Sequence, residues 1–301
     1  MSDKLDQSFK AGYVAIVGRP NVGKSTLLNH LLNFKVSAVT NKPQTTRHQI
    51  RGILNGEHYQ VVFIDTPGLL QPKYKLQDAM LQTVQRALRD ADLVLFIVEA
   101  ASEPDQQDVK LLEEIVNTAP QSILVINKMD RIQKNVVLSL MDYFSRWPNI
   151  KTMIPISALK RDGLEGLKKE IVAVLPAGQP FYAADQIVDH PERFIAAELI
   201  REKIFERYGD EIPYATTVAI AEFKERGAGK DFIQATIYVE KSSQKGMLIG
   251  KQGAALKEVG KLARREIELA LGRPVFLELW VKVREKWRQD EIALREFGYL
   301  K

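Results

Sequence analysis

Cysteine is absent from the 301-residue chain. Its absence excludes disulfides, cysteine-ligated zinc and thiol redox chemistry. No apolar run in the sequence approaches the ~20 residues that a helix needs to cross a bilayer. The first ten residues, Met1–Lys10, are polar and lack the apolar core of a signal peptide. Together these absences predict a protein of the cytoplasm.

The composition that remains is typical of a globular protein. Apolar residues make up 45% and charged residues 27% of the chain, which is enough material for hydrophobic cores. A length of 301 residues exceeds the usual size of one domain, so two domains are expected. The formal net charge of +5 is a mild indication of an anionic partner, and the position of that charge matters more than its total.

Short apolar runs alternate with helical patterns from Tyr13 onward. The runs are rich in Val and Ile and nearly free of polar residues, as expected for strands covered on both faces. The predicted strands are Tyr13–Val17, Val61–Ile64, Leu93–Val98, Ile123–Ile126 and Met153–Ile156. The predicted helices between them are Ser25–Leu32, Lys75–Arg89, Gln107–Val116, Val136–Trp147 and Leu164–Leu175. This order predicts an α/β fold with a doubly wound, mostly parallel sheet, and His48–Leu54 as an edge strand.

The alternation stops near Leu175, where Pro176, Gly178 and Pro180 carry the signals of a linker. We therefore predict a first domain at residues 1–176, a linker at 177–184 and a second domain at 185–301. The second domain has an α+β order of helix, two strands, short helix, glycine pair, helix and strand. Its longer predicted elements are Glu192–Tyr208, Ala215–Arg226, Phe232–Glu240, a helix ending near Leu271, and Val275–Val283.

A glycine-rich loop joins the first strand to the first helix. The run Gly18-Arg19-Pro20-Asn21-Val22-Gly23-Lys24-Ser25 fits the pattern G-x₄-G-K-[ST]. Such glycines let successive N–H groups face phosphate oxygens, and the helix N-terminus adds a favourable dipole. We expect Lys24 to reach the β- and γ-phosphates, the Ser25 hydroxyl to ligate Mg²⁺, and Val22 and Thr26 to complete the phosphate contacts. The alternative is an ordinary strand-to-helix turn.

The run Asn127-Lys128-Met129-Asp130 predicts which nucleotide base is bound. It lies at the carboxyl end of the predicted strand Ile123–Ile126. The Asp130 carboxylate can accept from both N1–H and N2–H₂ of guanine, whereas adenine would leave this carboxylate mismatched. Asn127 can pair with O6 and N7, and the stem of Lys128 can cover the ring. Ser157-Ala158-Leu159 follows the last strand, where the Ala158 N–H is expected near O6. These residues favour GTP and GDP over ATP.

Two further segments complete the predicted site. Asp65-Thr66-Pro67-Gly68 ends a strand, so Asp65 can hold a Mg²⁺-bound water and the Gly68 N–H can meet the γ-phosphate. Thr46 is the preferred hydroxyl to close over Mg²⁺. Thr45 is the other candidate. The alternative is that either threonine is a loop residue without a role at the metal. Lys24, Thr46, Asp65 and Gly68 are thus the expected catalytic group, with Ser25, Thr46 and Asp65 at the metal.

As a set, these segments resemble the translation-factor-related GTPases over about residues 11–176. One departure is Leu69, which stands where Ras-like enzymes have a water-orienting glutamine. An aliphatic side chain cannot align a water, so unaided hydrolysis should be slow. The resemblance also implies K⁺ as an activator, since some relatives with asparagine at the Asn21 position bind it beside the phosphates. A loop-capping role for Asn21 is the alternative.

The second domain contains Gly250-Lys251-Gln252-Gly253 between an apolar stretch and a helix. A similar tetrad, Gly163–Gly166, contains Glu165 and should repel phosphate. The later tetrad has Lys251 within it and Lys245 and Lys257 nearby, and its glycines let an RNA backbone approach. From Lys241 to Arg288 there are 12 basic and five acidic residues, a footprint expected for nucleic acid. A solvated helix face is the alternative.

The order of elements around this loop resembles a type II KH domain. A GTPase domain followed by a KH domain resembles the Era family of GTPases over nearly the whole chain. Further matching pieces are the run from Pro43 to Arg47 and the run from Glu211 to Tyr214. The resemblance implies binding of single-stranded rRNA near the 3′ end of 16S rRNA, a role in 30S subunit assembly, and peripheral association with the inner face of the cytoplasmic membrane. We expect a monomer.

Three other functions stay open from the sequence alone. They are an ATPase, an RNA-binding protein that binds nucleotide without hydrolysing it, and a relative whose KH-like domain contacts only proteins. If the chain is a GTPase, nucleotide state should reorder the segment Gln44–Arg47 and the segment after Gly68, and so change how well RNA fits. The tail aromatics Trp287, Phe297 and Tyr299 should pin a C-terminal helix, with base stacking as the alternative.

Overall fold

The computed structural model describes residues 9–101, 103–119, 121–147, 150, 152–227 and 229–300. The polar stretch expected at the N-terminus therefore lies outside the described residues up to Ser8. The chain divides into two compact units. The first comprises Met1–Ser37, Thr46–Leu70 and Leu81–Asp189, and the second comprises Ala38–Thr45, Gln71–Met80 and His190–Lys301.

A six-stranded sheet forms the centre of the first unit. Its strands are β1 (Lys10–Val17), β2 (Ile50–Gly56), β3 (Tyr59–Asp65), β4 (Leu93–Glu99), β5 (Ser122–Asn127) and β6 (Thr152–Pro155). Their order is β2-β3-β1-β4-β5-β6, in which β2 runs antiparallel to β3 and the other neighbours are parallel. The predicted doubly wound, mostly parallel α/β sheet with an edge strand near residue 50 is confirmed.

Helices connect these strands and cover the sheet. They are α1 (Lys24–Leu32), α2 (Lys75–Asp90), α3 (Gln106–Thr118), α4 (Lys134–Phe144) and α5 (Leu164–Val174). The apolar runs are buried as their composition predicts, and every residue of β4 from Leu93 to Val98 is at most 2% exposed. Because β1, β3 and β5 are parallel, the polar segments that follow them gather at one edge of the sheet.

The segment after α5 lies along the sheet instead of leaving it. The Ile53 N–H donates to the Ile187 carbonyl at 2.7 Å, the Asp189 N–H donates to the Arg51 carbonyl at 3.2 Å, and Gly52 bridges Val188. The buried amide of Gln60 accepts from the Phe181 and Tyr182 N–H groups at 2.6 and 3.0 Å. The first unit thus extends to Asp189, beyond the predicted linker at 177–184 and into the predicted second domain.

The main part of the second unit packs helices on a three-stranded sheet. Its elements are α6 (Glu192–Arg207), α7 (Ile212–Ala215), β7 (Thr217–Lys224), β8 (Asp231–Val239), α8 (Ser242–Ile249), α9 (Ala254–Leu271), β9 (Val275–Val283) and α10 (Glu291–Glu296). In the order β7-β8-β9, β7 is antiparallel to β8 and β8 is parallel to β9. The expected strand from Ala215 was wrong at its start, because Pro213 lies in the single-turn helix α7 and the strand begins at Thr217.

The C-terminal aromatics belong to the core of the second unit. Trp287 is fully buried, and its indole N–H donates to the Ala215 carbonyl at 2.8 Å. The Tyr299 hydroxyl lies 2.9 Å from that of Thr217. These residues pack with the first turns of α2, in a cluster of Leu76, Ala79, Met80, Trp287, Ala293, Leu294 and Tyr299. The expectation that the tail aromatics pin a C-terminal helix is confirmed, and two of them are too buried to stack on bases.

None of the helices within the described residues is both long enough and apolar enough to cross a membrane.

Candidate functional site

The loop between β1 and α1 is shaped by its glycines. Gly18 and Gly23 have φ of 151° and 104°, a region that side chains with a Cβ rarely adopt. Gly23 is the N-cap of α1, so the helix begins at Lys24 with its N–H groups directed at the loop. The Lys24 ammonium is buried and donates to the carbonyls of Gly18 and Arg19 at 3.1 and 2.9 Å. Burial lowers the pKa of Lys24 to about 8, although Asp65 and Asp108 oppose that shift.

Three oxygen-bearing side chains converge beside this loop. The Ser25 hydroxyl donates to Asp65 Oδ2 at 2.7 Å and lies 2.9 Å from the Thr46 hydroxyl. Asp65 is fully buried, and its second oxygen, Oδ1, has no hydrogen-bond partner among the described residues. Burial raises the pKa of Asp65 overall, although Lys24 and the hydroxyls of Ser25 and Ser37 act in the opposite direction. Hard oxygen donors with an unsatisfied carboxylate oxygen fit Mg²⁺, which binds a few protein oxygens together with phosphates.

The two candidate threonines have different surroundings. The Thr45 hydroxyl donates to the Lys42 carbonyl at 2.7 Å and lies 2.6 Å from the Thr40 hydroxyl. Thr45 is therefore satisfied within its own segment, which belongs to the second unit. Thr46 belongs to the first unit, and its hydroxyl points at Ser25. The geometry thus places the Thr46 hydroxyl beside Ser25 and turns that of Thr45 towards its own segment.

Gly68 approaches the glycine-rich loop closely. A Cβ at Gly68 would lie 2.7 Å from both the N and the Cα atom of Pro20, so a larger residue would push the two segments apart. The next N–H, of Leu69, donates to the Gly18 carbonyl at 3.1 Å. The Leu69 side chain packs against the core cluster of the first unit. It therefore provides no polar group for an attacking water, as its chemistry predicts.

The predicted base-binding residues gather at the ends of β5 and β6. Asp130 is exposed and accepts from the Ser157 hydroxyl at 2.5 Å, which lowers the pKa of Asp130. Lys128 has φ of 69° and pairs with Glu99 at 2.5 Å. Leu159 is 62% exposed beside them. An exposed carboxylate held in its ionised form suits a ligand that presents two N–H donors.

The Asn127 amide joins two loops of the site. Its amide nitrogen donates to the Val22 carbonyl at 2.7 Å, and its amide oxygen accepts from the Ala158 N–H at 2.9 Å. Asn127 is 2% exposed. The Asn127 side chain therefore links the Gly18–Ser25 loop to the loop after β6. The Ala158 N–H donates to the Asn127 amide oxygen.

Several contributing residues were missed by the sequence reasoning. Ser37 donates to Asp65 Oδ2 at 2.8 Å, and its own N–H is held by Asn29 Oδ1 at 3.0 Å. Glu99 holds Lys128, and Arg19 forms ion pairs with Asp105 and, at 3.7 Å, with Asp108. Ser37, Glu99 and the two aspartates belong to no recognised motif, so only the fold brings them to the site.

The glycine loop of the second unit lies between α8 and α9. Gly250, Gln252 and Gly253 have φ of 71°, 51° and 76°. A Cβ at Gly250 would lie 2.6 Å from that of Ala255, whereas one at Gly253 would meet open space. Gly253 is the N-cap of α9, so free N–H groups of that helix lie behind the loop. Lys251, Gln252 and Lys257 are exposed, and Lys245 is half-buried.

Comparison with known proteins finds a GTPase domain in the N-terminal half of the chain and a KH domain in the C-terminal half. A family model described as "50S ribosome-binding GTPase" matches residues 13–128, and a KH domain model matches residues 211–288. The GTPase Era of Ruminiclostridium cellulolyticum is 46% identical over 97% of this chain and 98% of its own length. The GTPase Era of Geobacter metallireducens is 47% identical over 98% of this chain and 99% of its own length.

The chain belongs to the Era family of GTPases.

Solved Era structures share the fold over the same extent. The crystal structure of a point variant of Aquifex aeolicus Era bound to GDP·AlF₄⁻ matches with a TM-score of 0.93 and 42% identity, over 97% of this chain and all of that chain. A crystal structure of Era in complex with MgGDPNP and nucleotides 1506–1542 of 16S ribosomal RNA matches with the same TM-score, identity and coverage. The expected order of a GTPase domain and a KH domain is confirmed.

Proposed function

We propose that this member of the Era family is a Mg²⁺-dependent GTPase whose nucleotide lies between the Gly18–Ser25 loop and Asp130. The observation that carries the proposal is that the Ser25 hydroxyl contacts both the Thr46 hydroxyl and the Asp65 carboxylate, whose Oδ1 is buried and unsatisfied among the described residues. Within the described residues there is no cluster of three or more His, Asp or Glu that could hold a metal alone. Phosphate oxygens would supply the remaining ligands.

Each residue in the site has a distinct part in hydrolysis. Ser25 and Thr46 would ligate Mg²⁺ directly and Asp65 through a water, and the ion would neutralise charge that develops on the phosphates. Lys24 would exchange the carbonyls of Gly18 and Arg19 for β- and γ-phosphate oxygens. The N–H of Gly68 would donate to the γ-phosphate. Since Leu69 cannot align the attacking water, we propose that unaided turnover is slow.

Potassium is proposed to assist through Asn21. This residue is exposed, with φ of 66°, within the phosphate loop. A monovalent cation beside the phosphates would add positive charge where Leu69 offers none. Equal kcat in K⁺ and Na⁺ buffers would exclude this role.

We propose that single-stranded RNA binds at Gly250–Gly253, with its backbone against the loop and the α9 N-terminus. Support comes from the positive φ at both glycines and the exposed side chains of Lys251 and Lys257. A structurally similar Era is known in complex with nucleotides of 16S rRNA, which makes the 3′ end of that RNA the proposed ligand. A role in 30S assembly rests on the same likeness.

Three further expectations stay predictions. The cytoplasmic location, the peripheral membrane association and the monomeric state rest on composition or on family resemblance.

The proposal is tested by measuring GTP turnover with and without RNA from the 3′ end of 16S rRNA, in K⁺ buffer. We expect RNA to stimulate the wild type, and Gly253→Asp to lose most of that stimulation, because its carboxylate would repel the phosphate backbone. Basal turnover of the variant should match the wild type, since Gly253 belongs to the second unit.

Two variants separate charge from backbone strain. Gly253→Asn imposes the same strain at φ of 76° without the charge and should keep most of the RNA response. Gly166→Asp introduces the charge in α5, where a Cβ meets no atom within 4 Å, and should keep it too. Turnover that ignores RNA, in a wild type that also fails to bind it, would leave a GTPase without the proposed RNA function. Absence of single-turnover hydrolysis at saturating enzyme would contradict the GTPase itself.

A further inference from the structure

The last turn of helix α1 contacts the loop that follows β6. Both belong to the first unit. The imidazole Nδ1 of His30 lies 2.5 Å from the Ala158 carbonyl oxygen. A carbonyl oxygen only accepts hydrogen bonds, so Nδ1 carries the hydrogen and donates it. Because Ala158 is 1% exposed, water has little access to this carbonyl, and the imidazole is its side-chain donor.

The two peptide groups that flank Ala158 are both held in place. On one side, the Ala158 N–H donates to Asn127 Oδ1 at 2.9 Å. On the other side, the Ala158 carbonyl accepts from His30 and, at 3.3 Å, from the Arg161 N–H. Peptide groups are planar, so fixing the planes on both sides of a residue fixes its φ and ψ. The backbone at Ala158 therefore has little freedom.

Helix α1 is a firm support for this contact. Leu27, Leu28 and Leu31 bury one face of the helix, each at 6% exposure or less. The helix has Ser25 in its first turn and rises about 1.5 Å per residue. One packed element thus extends from the Gly18–Ser25 loop to the loop after β6. Groups supported by a packed helix are held more precisely than groups supported only by loops.

The loop after β6 also contacts the carboxylate that we propose binds the base. The Ser157 hydroxyl donates to Asp130 at 2.5 Å, and Ala158 is the next residue. We infer that His30 is a positioning residue for guanine, which holds the Ala158 backbone, and with it the Ser157 hydroxyl, in place beside the base. The inference rests on the proposed position of the base at Asp130.

The expected effect concerns the O6 edge of guanine. The Ala158 N–H is the group expected at O6, and O6 must compete for this hydrogen with the Asn127 amide oxygen. Hydrogen bonds weaken steeply when their distance and angle depart from the optimum. Loss of the His30 donor should therefore weaken binding of a base that has O6 more than binding of a base that lacks it.

The test compares GDP with 2-aminopurine riboside diphosphate, which has a hydrogen in place of O6 and keeps the 2-amino group. Affinities for the full chain are measured in Mg²⁺ by displacement of a fluorescently labelled GDP. His30→Leu removes the donor and keeps a residue that suits a helix. We expect the GDP preference to fall about fivefold from its wild-type value, as loss of one hydrogen bond allows, through weaker GDP binding alone.

Two further variants separate the hydrogen bond from other effects. His30→Asn places an amide nitrogen at the position of Nδ1, one bond beyond Cγ, and should restore most of the wild-type preference. Arg161→Met is the control in the same loop. It removes an exposed bond to Asn33 Oδ1 at 3.1 Å, for which water substitutes, and should leave the preference within about twofold.

Three results would overturn the inference. They are equal losses of affinity for both nucleotides in His30→Leu, an unchanged preference in that variant, and failure of His30→Asn to restore it. Asp130→Asn tests the premise separately. Its amide would present a donor to the guanine 2-amino group, so GDP affinity should fall at least about tenfold. If GDP affinity stays at the wild-type value, the base does not lie at Asp130 and the proposed site is wrong.

Discussion

Asp108 and Asp105 lie three residues apart beside Arg19, yet their environments oppose each other. Asp108 is 4% exposed, and its Oδ1 finds no hydrogen-bond partner among the described residues. Burial raises the pKa of Asp108 to about 6, despite the attraction of Arg19. For the more open Asp105, burial alone would raise the pKa, but bonds from the Gln107 N–H and from Arg19 lower it overall. Ionisation therefore costs stability at Asp108 and adds stability at Asp105.

The sign of the Asp108 effect gives a pH prediction. Because its folded pKa exceeds its unfolded value of about 4, the folded state loses stability as pH rises from about 4 to about 6. Asp108→Asn removes that cost, so the free energy of unfolding of the variant should match that of the wild type near pH 4. Above about pH 6 the variant should be more stable by up to about 3 kcal/mol. Calorimetry checks this, with the first-unit transition identified by its shift on adding GDP.

Asp105→Asn serves as the control and should show the opposite sign. Its carboxylate carries a negative charge at the N-terminus of α3 and beside Arg19, so neutralising it should destabilise the first unit at neutral pH. A gain from Asp108→Asn that is as large in acid as at neutral pH would show that burial of the charge is not its cause.

Single residues also mark where sequence reasoning reached its limit. The motifs correctly gathered Lys24, Ser25 and Asp65, because each follows a parallel strand and such ends share one edge. The pairing of Asn127 with O6 and N7 of the base stays a prediction, and the contacts of its amide with Val22 and Ala158 were not foreseen. A motif states which residue types are needed, but it does not distribute the hydrogen bonds among them. Ser37 was missed for the same reason, since a loop serine has no distinguishing pattern.

At the scale of elements, helix α2 shows that the spacing of apolar residues predicts a helix but not the residues against which it packs. The apolar spacing predicted a helix at Lys75–Arg89, and the structure has one at Lys75–Asp90. Its first turns place Leu76, Ala79 and Met80 against the tail aromatics, within the second unit. The remainder, from Leu81, belongs to the first unit. A hydrophobic stripe shows that a face is buried, but not which partner buries it.

One ion-pair cluster joins three elements of the second unit. Arg273 follows α9 and pairs with Glu192, at the start of α6, and with Asp231, at the start of β8, at 2.5 Å. Asp231 is buried and also accepts from the Arg226 N–H at 2.8 Å. Loss of the guanidinium would leave Asp231 with that backbone donor and no counter-charge.

We therefore expect Arg273→Leu to destabilise the second unit by roughly 1–2 kcal/mol, because hydrogen bonds to charged groups contribute about 1.5–3 kcal/mol and solvent at the one-third exposed Arg273 weakens them. Hydrogen exchange of β8 and β9 amides, followed by mass spectrometry, measures the change. Arg264→Leu is the comparison, because its pair with Glu268 is exposed at 3.9 Å and should be worth less than about 0.5 kcal/mol. Similar protection losses in both variants would rule out a special role for the cluster.

At the scale of the whole molecule, the sequence predicted both folds and their order. Strand and helix alternation indicated the parallel sheet, and the element order around Gly250–Gly253 indicated the KH domain. It did not predict that Ala38–Thr45 and Gln71–Met80 join the second unit. Contacts between residues far apart in sequence create that division, and linker signals such as Pro176 and Pro180 report only local breaks.

The strand-like segment at residues 186–189 determines where the first unit can be cut. It supplies partners to β2, which is otherwise the outermost strand of the sheet. A fragment that ends at Leu175 leaves this row of N–H and C=O groups bare, which is a template for pairing with another molecule. We expect such a fragment to self-associate at concentrations where one that ends at Asp189 sediments as a single species.

Analytical ultracentrifugation of the two fragments makes the comparison. Both expose Leu76 and Met80 equally, so a difference between them reports the loss of residues 176–189, which cover β2 and the buried Gln60. If both sediment alike, residues 186–189 do not protect the sheet. If they differ, the smallest fragment that remains monodisperse ends at Asp189, where the last backbone hydrogen bond to β2 is made. That point lies well beyond Pro176 and Pro180, which mark the linker predicted from the sequence.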